Sequence, residues 1–239
     1  MFSMVFIETT TACNRRCSYC PNAVYDRGLI KNEKRMEPAV FHKTMDDLAA
    51  MRWQGTIALN FFSEPLLDDR LPQLIAYAHS KLPRCLIEIF TNGDLLSVDL
   101  FKKLVEAGTK RFNITQHSEK KQENVEGVIA YNNTLGKDAI DIYYHPLVEH
   151  VTNRGGVEAL TKENMKLRKF CLWPSKSIGV GYNGNILFCC DDYFNTVKLG
   201  NITKEHILKI WKKPRYKQLR RETKKGIYTE EICKNCKIV

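Results

Sequence analysis

Three cysteines near the amino terminus have the spacing C-x3-C-x2-C: Cys13, Cys17 and Cys20. Three thiolates spaced in this way can bind three irons of a 4Fe–4S cluster and leave the fourth iron without a protein ligand, open to chemistry. Zinc usually takes four protein ligands, and no fourth ligand lies close in the sequence. The chain has nine cysteines, an odd number that cannot all pair as disulfides. We therefore expect a catalytic iron–sulfur site here.

A second set of cysteines lies in the last third of the chain. Twelve residues separate Cys171 from Gly184 and four separate Gly184 from Cys189, and the chain closes with Cys233 and Cys236. Four thiolates would fill every corner of a second 4Fe–4S cluster. The spacing alone leaves open a four-cysteine zinc site that stabilises a small subdomain.

Two further cysteines have no evident partner. Cys190 follows Cys189 directly, and alternation along a strand predicts that the two do not face the same cluster. Cys190 is then a fallback ligand, a buried apolar residue or a thiol that faces the substrate. Cys85 begins a predicted strand, and we expect it to be buried and inert.

The first part of the chain alternates apolar strand-like runs with helix-like segments. The predicted strands are 5–9, 56–62, 86–91, 111–115 and 139–144, and the predicted helices are 38–51, 71–81, 98–107 and 120–131. This alternation predicts an α/β fold with about five parallel strands, arranged as a partial TIM barrel. Polar residues follow each strand, where the active-site face of such a barrel lies.

The pattern changes near residue 150. Residues 177–182 and 185–190 are predicted to form a hairpin around a type I′ turn at Asn183-Gly184, followed by helices at about 204–211 and 214–224. We therefore predict a core at 1–150 and a small hairpin-and-helix domain at 151–239 that holds the second cysteine set.

The first cysteine motif, with Tyr19 before its last cysteine and Phe62-Ser63-Glu64-Pro65 after the second strand, resembles the radical S-adenosylmethionine (SAM) enzymes. The resemblance implies that the open iron binds SAM and that reductive cleavage gives a deoxyadenosyl radical. It also implies that Tyr19 packs beside the adenine and that Ser63 and Glu64 hold the methionine amino group. Two residues at later strand ends either contact SAM or cap loops: Asn92 and Gln116.

The second cysteine set resembles the twitch domain, a shortened SPASM domain of these enzymes. That resemblance implies an auxiliary 4Fe–4S cluster bound by Cys171, Cys189, Cys233 and Cys236, and favours iron–sulfur over zinc.

Several segments, among them Asn153-Arg154-Gly155-Gly156, resemble those of twitch-type SAM dehydrogenases that act on aminocyclitols. The resemblance implies oxidation of a secondary alcohol of an aminocyclitol or sugar to a ketone, with the auxiliary cluster as electron acceptor. Arg154 would orient the hydroxyl, and Asp191 or His145 would accept its proton. The alternatives are an epimerase with Cys190 as hydrogen-atom donor, a peptide-modifying enzyme, and a zinc-stabilised basic binding protein without enzymatic activity.

The composition of the chain limits the kinds of partner that we expect. The 239 residues carry a formal net charge of +10 and are 44% hydrophobic, an ordinary globular balance. No apolar run is long enough to span a bilayer and no signal peptide is evident, so we expect no membrane partner and a cytoplasmic protein. The basic run at 212–225 has few aromatic residues, which argues against nucleic acid as a partner. The expected partners are a small hydroxylated substrate and an electron donor such as flavodoxin or ferredoxin.

Overall fold

One open sheet of seven strands organises the protein. The computed structural model describes residues 1–117, 119–146 and 152–239. The strand order is β5-β4-β3-β2-β1-β7-β8, in which β8 is antiparallel to β7 and all other neighbours are parallel. The strands are β1 Met4–Ile7, β2 Thr56–Leu59, β3 Leu86–Thr91, β4 Arg111–Gln116, β5 Asp141–Pro146, β6 Lys166–Leu167, β7 Ser177–Val180, β8 Ile186–Leu187 and β9 Lys237–Ile238.

Helices occur at the six places where the sequence predicts them, and two short helices of four residues each were not predicted. The helices are α1 Pro38–Ala50, α2 Leu71–Lys81, α3 Val98–Ala107, α4 Glu123–Thr134, α5 Trp173–Lys176, α6 Ile207–Trp211, α7 Pro214–Lys224 and α8 Glu231–Lys234. Local signals set several ends. Pro38 opens α1, the Ser97 side chain accepts a hydrogen bond from the Leu100 N–H, and Gly108 ends α3 with a φ of 121°.

The α/β partial-barrel prediction is confirmed, with six parallel strands rather than about five. The sixth is β7, which pairs in parallel with β1 in the register Met4 to Ser177 through Ile7 to Val180. The hairpin predicted for a separate small domain therefore extends the main sheet. The predicted boundary at residue 150 lies within 147–151, outside the described residues.

The hairpin turn differs from the predicted type I′ turn. A type I′ turn needs positive φ at both central residues, but here Gly184 has a φ of 78° and Asn183 is not among the residues with positive φ. Gly181 N–H donates to the Asn185 carbonyl, which closes a three-residue loop that ends in a left-handed glycine. Asn-Gly fits this loop as well, since only its second position requires glycine.

The hydrophobic core is continuous between the sheet and the carboxyl-terminal helices. Phe2 lies against Trp53 and Trp211, with ring centroids 5.7 and 5.0 Å apart. On α1, the Asp47 carboxylate accepts a hydrogen bond of 2.9 Å from the Ile207 N–H at the start of α6. These contacts fix the carboxyl-terminal part of the chain against the sheet.

Candidate functional site: two cysteine-lined cavities

The first cysteine loop leaves β1 and encloses a cleft of about 260 Å³ at the carboxyl ends of the parallel strands. Cys13, Cys17 and Cys20 are all free thiols and all line this cleft. Burial raises the pKa of Cys13 to about 11 and raises the pKa of Cys20, so metal binding must displace these protons. The predicted ligand triad thus faces one space.

The cysteine loop is tied to the end of β3 by a carboxylate. Asp94 accepts hydrogen bonds from Arg15 at 2.6 and 2.5 Å, from Asn14 at 2.9 Å and from Gln122 at 2.6 Å. Burial opposes ionisation, but the Arg15 guanidinium and the two amides hold the pKa of Asp94 below its usual range. This network of contacts within the protein holds the cysteine loop against the end of β3.

Glu64 is a buried carboxylate on the wall of the same cleft. Its oxygens accept hydrogen bonds from the Thr91 hydroxyl at 2.7 Å, the Asn92 N–H at 2.8 Å and the Leu66 N–H at 3.0 Å. Burial nevertheless raises the pKa of Glu64 to about 7. A cationic group placed in the cleft would favour its ionised form.

Ser63 and Asn92 also line the cleft. Ser63 is not among the residues with positive φ, so its backbone torsion does not require glycine. The Asn92 side-chain amide donates to the Asn14 side-chain oxygen at 2.8 Å and its own oxygen accepts from the Asp94 N–H at 3.0 Å. Asn92 thus serves the loop, as the capping alternative expected, while remaining at the cleft wall.

Gln116 does not line the cleft, although its neighbours do. Its amide donates to the Glu119 carbonyl at 3.2 Å, while Thr115 and His117 face the cleft. The reason is strand alternation, which places every second residue on the same face. His117 was missed from the sequence, and counting on by two positions from Thr115 would have found it.

Tyr19 and His117 form a stacked pair beside the first cysteine set. The Tyr19 hydroxyl lies 2.7 Å from His117 Nδ1, and the two rings are 7° from parallel. His117 Nδ1 is 3.8 Å from the Cys17 sulfur. Burial, together with Arg15, lowers the pKa of His117, which favours the neutral ring.

Arg154 reaches the same cleft from the carboxyl-terminal part of the chain. Its guanidinium lies 5.7 Å from the Phe62 ring centre, and its Nε is 3.5 Å from the Tyr19 carbonyl oxygen. Its φ of 51° is unusual for a residue with a side chain, and Gly155 and Gly156 follow at 71° and 98°. Backbone strain of this kind is common at binding sites.

Asn153 holds this strained loop in place. It is 1% exposed, and its side-chain amide donates to the Asn235 carbonyl at 2.9 Å. Its oxygen accepts from the Lys237 N–H at 2.8 Å. The arginine loop is therefore attached to the segment that carries Cys233 and Cys236, a connection that the sequence did not indicate.

The second cysteine set surrounds a separate cavity. Five free cysteines line it: Cys171, Cys189, Cys190, Cys233 and Cys236. Strand alternation predicts that Cys189 and Cys190 do not face the same cluster, but β8 ends at Leu187, so alternation does not extend to these two residues and both line this cavity. Cys190 also lines the first cleft, so it belongs to the wall between the two cavities.

Asp191 lies behind Arg154 rather than in the wall of the first cleft. Its carboxylate is 3.4 Å from Arg154 and 3.7 Å from Arg168, and it is 4.0 Å from the Cys236 sulfur. His145, the other predicted proton acceptor, is exposed and is not among the residues that line either cavity. Of the two, only Asp191 contacts the predicted substrate residue.

The cysteines of each set line one space, as the ligands of a cluster of several irons must. Each cysteine set lines a wall, and the ligands of a 4Fe–4S cluster must bind different iron atoms. Within 1–117, 119–146 and 152–239, no three His, Cys, Asp or Glu side chains are arranged to hold a single metal ion.

Comparison with protein families gives the decisive observation. Residues 7–135, more than half of the chain, match the family model described as the radical SAM superfamily. The chain belongs to the radical SAM superfamily. Residues 171–237 match the SPASM model, described as an iron–sulfur cluster-binding domain.

A curated relative within this superfamily extends over nearly the whole chain. It is the S-adenosyl-L-methionine-dependent 2-deoxy-scyllo-inosamine dehydrogenase of Niallia circulans, 33% identical over 241 residues, with 99% of this chain and 93% of the relative covered. The crystal structure of BtrN in complex with AdoMet and 2-DOIA matches with a TM-score of 0.86 and 33% identity, covering 99% and 93% of the two chains. A structure of BtrN in an open conformation matches with a TM-score of 0.75 and 29% identity, covering 99% and 92%.

These matches establish the class of enzyme and its cofactors. The protein is a radical SAM oxidoreductase that uses SAM and a 4Fe–4S cluster, with an additional iron–sulfur cluster in the SPASM region. The zinc-stabilised, non-enzymatic alternative is therefore wrong. No helix among the described residues is long and apolar enough to span a membrane.

Proposed function

We propose that this radical SAM enzyme oxidises a secondary alcohol of a small polyhydroxylated molecule, an aminocyclitol or a sugar, to a ketone. The observation that carries the proposal is the shared wall between the two cavities. Arg154 and Cys190 face the first cleft, while Cys190 and Asp191 face the second. A substrate held at this wall would lie between the site of radical formation and the auxiliary cluster.

The proposed ligands of the first cluster are Cys13, Cys17 and Cys20, and those of the auxiliary cluster are Cys171, Cys189, Cys233 and Cys236. With SAM bound, the first cluster would supply the electron that cleaves SAM to the hydrogen-abstracting deoxyadenosyl radical, and the auxiliary cluster would accept the electron that then leaves the substrate. We propose the cytoplasm, a reducing compartment, as the setting, with flavodoxin or ferredoxin as electron donor.

The chain's own residues would position SAM in the first cleft. Glu64, ionised by the approach of the methionine ammonium group, would bind that group, with Ser63 at the same edge. Tyr19, held by His117, would pack beside the adenine. Asn92 would act through the cysteine loop, and the Gln116 side chain donates to the Glu119 carbonyl.

Arg154 and Asp191 would handle the substrate hydroxyl. The Arg154 guanidinium would orient the oxygen and stabilise negative charge on it as the proton leaves. A guanidinium rarely gives up its own proton, which makes it a poor base. Asp191, 3.4 Å from Arg154, would fix the arginine, and of the two predicted proton acceptors it is the one that contacts Arg154.

Product analysis tests the proposal. With anaerobically reconstituted enzyme and a panel of aminocyclitols and sugars, we expect one SAM consumed per ketone formed. Arg154→Lys should abolish ketone formation while SAM is still cleaved, because the hydroxyl is no longer oriented. Arg52→Lys is a matched control, since Arg52 also has a positive φ, of 50°, but lies exposed after α1. Ketone formation at the parent rate by Arg154→Lys would contradict the role of Arg154.

One observation favours a second candidate, the epimerase. Cys190 lines the first cleft, and burial, with the Asp191 carboxylate, raises the pKa of its thiol, so it stays in the form that donates a hydrogen atom. An epimerase would incorporate solvent deuterium without changing the oxidation state of the product. Cys190→Ala should stop an epimerase or convert it to an oxidase, whereas a dehydrogenase should tolerate the change. Cys85→Ala is the control, since Cys85 is a buried thiol at the start of β3.

A further inference from the structure

Two buried hydrogen-bond donors face the auxiliary cavity without an acceptor. They are the Nε of Arg168 and the hydroxyl of Tyr228, both inaccessible to solvent and both without a hydrogen-bond partner among the described residues. Arg168 and Tyr228 line the same cavity as the five cysteines. Buried donors are rarely left unpaired in a native protein, so each is expected to have an acceptor when the cavity is filled.

The lining of the cavity limits what that acceptor can be. Apart from the cysteines, it consists mainly of apolar side chains: Trp173, Pro174, Phe188 and Ile232. Its one carboxylate, Asp191, already has two arginines and the Thr152 hydroxyl as neighbours. Among the side chains that line the cavity, the remaining acceptors are the cysteine sulfur atoms, to which a bound cluster would add its own sulfides.

The charges around Arg168 also favour a hydrogen bond from this residue to sulfur. Its NH2 nitrogen lies 3.7 Å from Asp191, while its guanidinium also interacts with Cys171 and Cys236. Asp191 is only 4.0 Å from the Cys236 sulfur and would repel a thiolate there. The cationic Arg168 interacts with both groups and offsets that repulsion.

We propose that Arg168 and Tyr228 donate hydrogen bonds to sulfur atoms of the auxiliary iron–sulfur cluster and thereby raise its reduction potential. The proposal rests on the ligand assignment in the proposed function. Reduction adds one negative charge to the cluster, so hydrogen-bond donors and a nearby cation stabilise the reduced form more than the oxidised form. These two residues would therefore make it easier for the cluster to accept the electron lost when the C–OH group becomes C=O.

The test measures the potential of the auxiliary cluster without turnover. In full-length protein that carries Cys13→Ala, Cys17→Ala and Cys20→Ala, only the auxiliary cluster remains, and anaerobic redox titration followed by electron paramagnetic resonance gives its potential. Tyr228→Phe and Arg168→Lys each remove one donor and should lower the equilibrium constant for reduction about tenfold, a shift of about 59 mV to more negative potential. Arg168→Met should shift it further, because the positive charge is lost as well.

Matched controls remove the same groups elsewhere. Tyr77→Phe removes a hydroxyl that donates to Asp46 on the surface. Arg111→Lys removes another buried unpaired Nε, on β4, where Arg111 pairs with Asp141. Both should leave the potential unchanged.

A potential in Tyr228→Phe and Arg168→Lys equal to that of the parent, at parental iron content, overturns the proposal. If a variant fails to retain the cluster, electron–nuclear double resonance of the parent in deuterated water decides instead. The reduced cluster must then show strongly coupled exchangeable deuterons, and their absence overturns the proposal. If the variants show the expected shift in potential but the complete parent enzyme forms no ketone, the proposed function is contradicted and this inference is not.

Discussion

At the scale of single residues, burial in the first cleft makes the Glu64 carboxyl group costly to ionise. Glu64 is 2% exposed and receives three hydrogen bonds, yet these do not fully offset the loss of hydration, and its pKa stays at about 7. Asp94 shows the opposite balance, since its pair with Arg15 keeps its pKa low. Asp94 therefore acts as a permanent anion, whereas Glu64 is ready to ionise when a cation binds.

Glu64 gives a prediction for pH dependence. Its folded pKa of about 7 lies above the ordinary value of 4.5, so its stabilising contribution is complete below about pH 4.5 and is lost as the pH rises through about 7. The full loss is on the order of 3 kcal/mol, at about 1.4 kcal/mol per pKa unit. The Glu64 contribution should make the parent apoprotein less stable at pH 8 than at pH 5, and this part of the difference should be absent in Glu64→Gln. Urea unfolding at the two pH values measures it.

The same residue should control SAM binding in the reconstituted protein. Because the carboxylate form is needed for the ammonium group, affinity for SAM should rise between pH 6 and pH 8 in the parent. Equilibrium binding should show a weaker and flatter profile in Glu64→Gln. Identical profiles for the two proteins would rule out contact between Glu64 and the ammonium group.

At the scale of elements, the loop at 152–156 connects the two cavities. Its backbone packs against α8 so closely that a Cβ on Gly155 would lie 2.5 Å from Ile232, and a Cβ on Gly156 would lie 2.6 Å from Asn235. Both glycines also have positive φ. Arg154 is thus positioned by the same segment that supplies two proposed ligands of the auxiliary cluster.

Gly155→Ala tests whether the close packing against Ile232 matters in addition to the strain of a positive φ. We expect a loss of about 2–4 kcal/mol in unfolding free energy, from the strained φ and the contact with Ile232, together with weaker auxiliary cluster retention. Gly136→Ala is the control, because Gly136 has a φ of 59° but nothing within 4 Å of the added Cβ. It should cost only about 1 kcal/mol, and equal losses in the two variants, with both clusters retained, would show that the close contact is unimportant.

At the scale of the whole molecule, both proposed cluster sites depend on one sheet and one core. β7 continues the parallel sheet beyond β1, and the hairpin that follows it leads directly to Cys189 and Cys190. The wall that contains Cys190 therefore has a fixed position relative to the loop that follows β1. This arrangement allows one substrate to face both cofactor sites.

Removing the auxiliary ligands should uncouple SAM cleavage from substrate oxidation. The parent should bind about eight irons, four per cluster, and Cys233→Ala with Cys236→Ala about four. SAM cleavage with a strong reductant should persist because Cys13, Cys17 and Cys20 remain. Ketone formation should be lost, since the electron acceptor is absent and the segment that holds the Arg154 loop is loosened. Iron analysis and chromatography of the nucleoside product measure both effects, and full ketone yield from this variant would exclude the auxiliary cluster as acceptor.

The sequence by itself determined the features that depend on local chemistry. The predicted bounds of β3, α2, α3 and α7 agree with the structure, because apolar periodicity, initial prolines and terminal glycines act within a few residues. The spacing of Cys13, Cys17 and Cys20 likewise indicated the superfamily, since three ligands on one loop need no distant partner.

Only the tertiary structure decided which side chains meet. The sequence could not show that Cys190 lies in the wall between two cavities. Nor could it show that Asp191 lies behind Arg154, between two arginines from separate segments. These arrangements depend on where strands end and on contacts between residues far apart in the chain, and both are set by packing of the complete fold rather than by any short stretch of sequence.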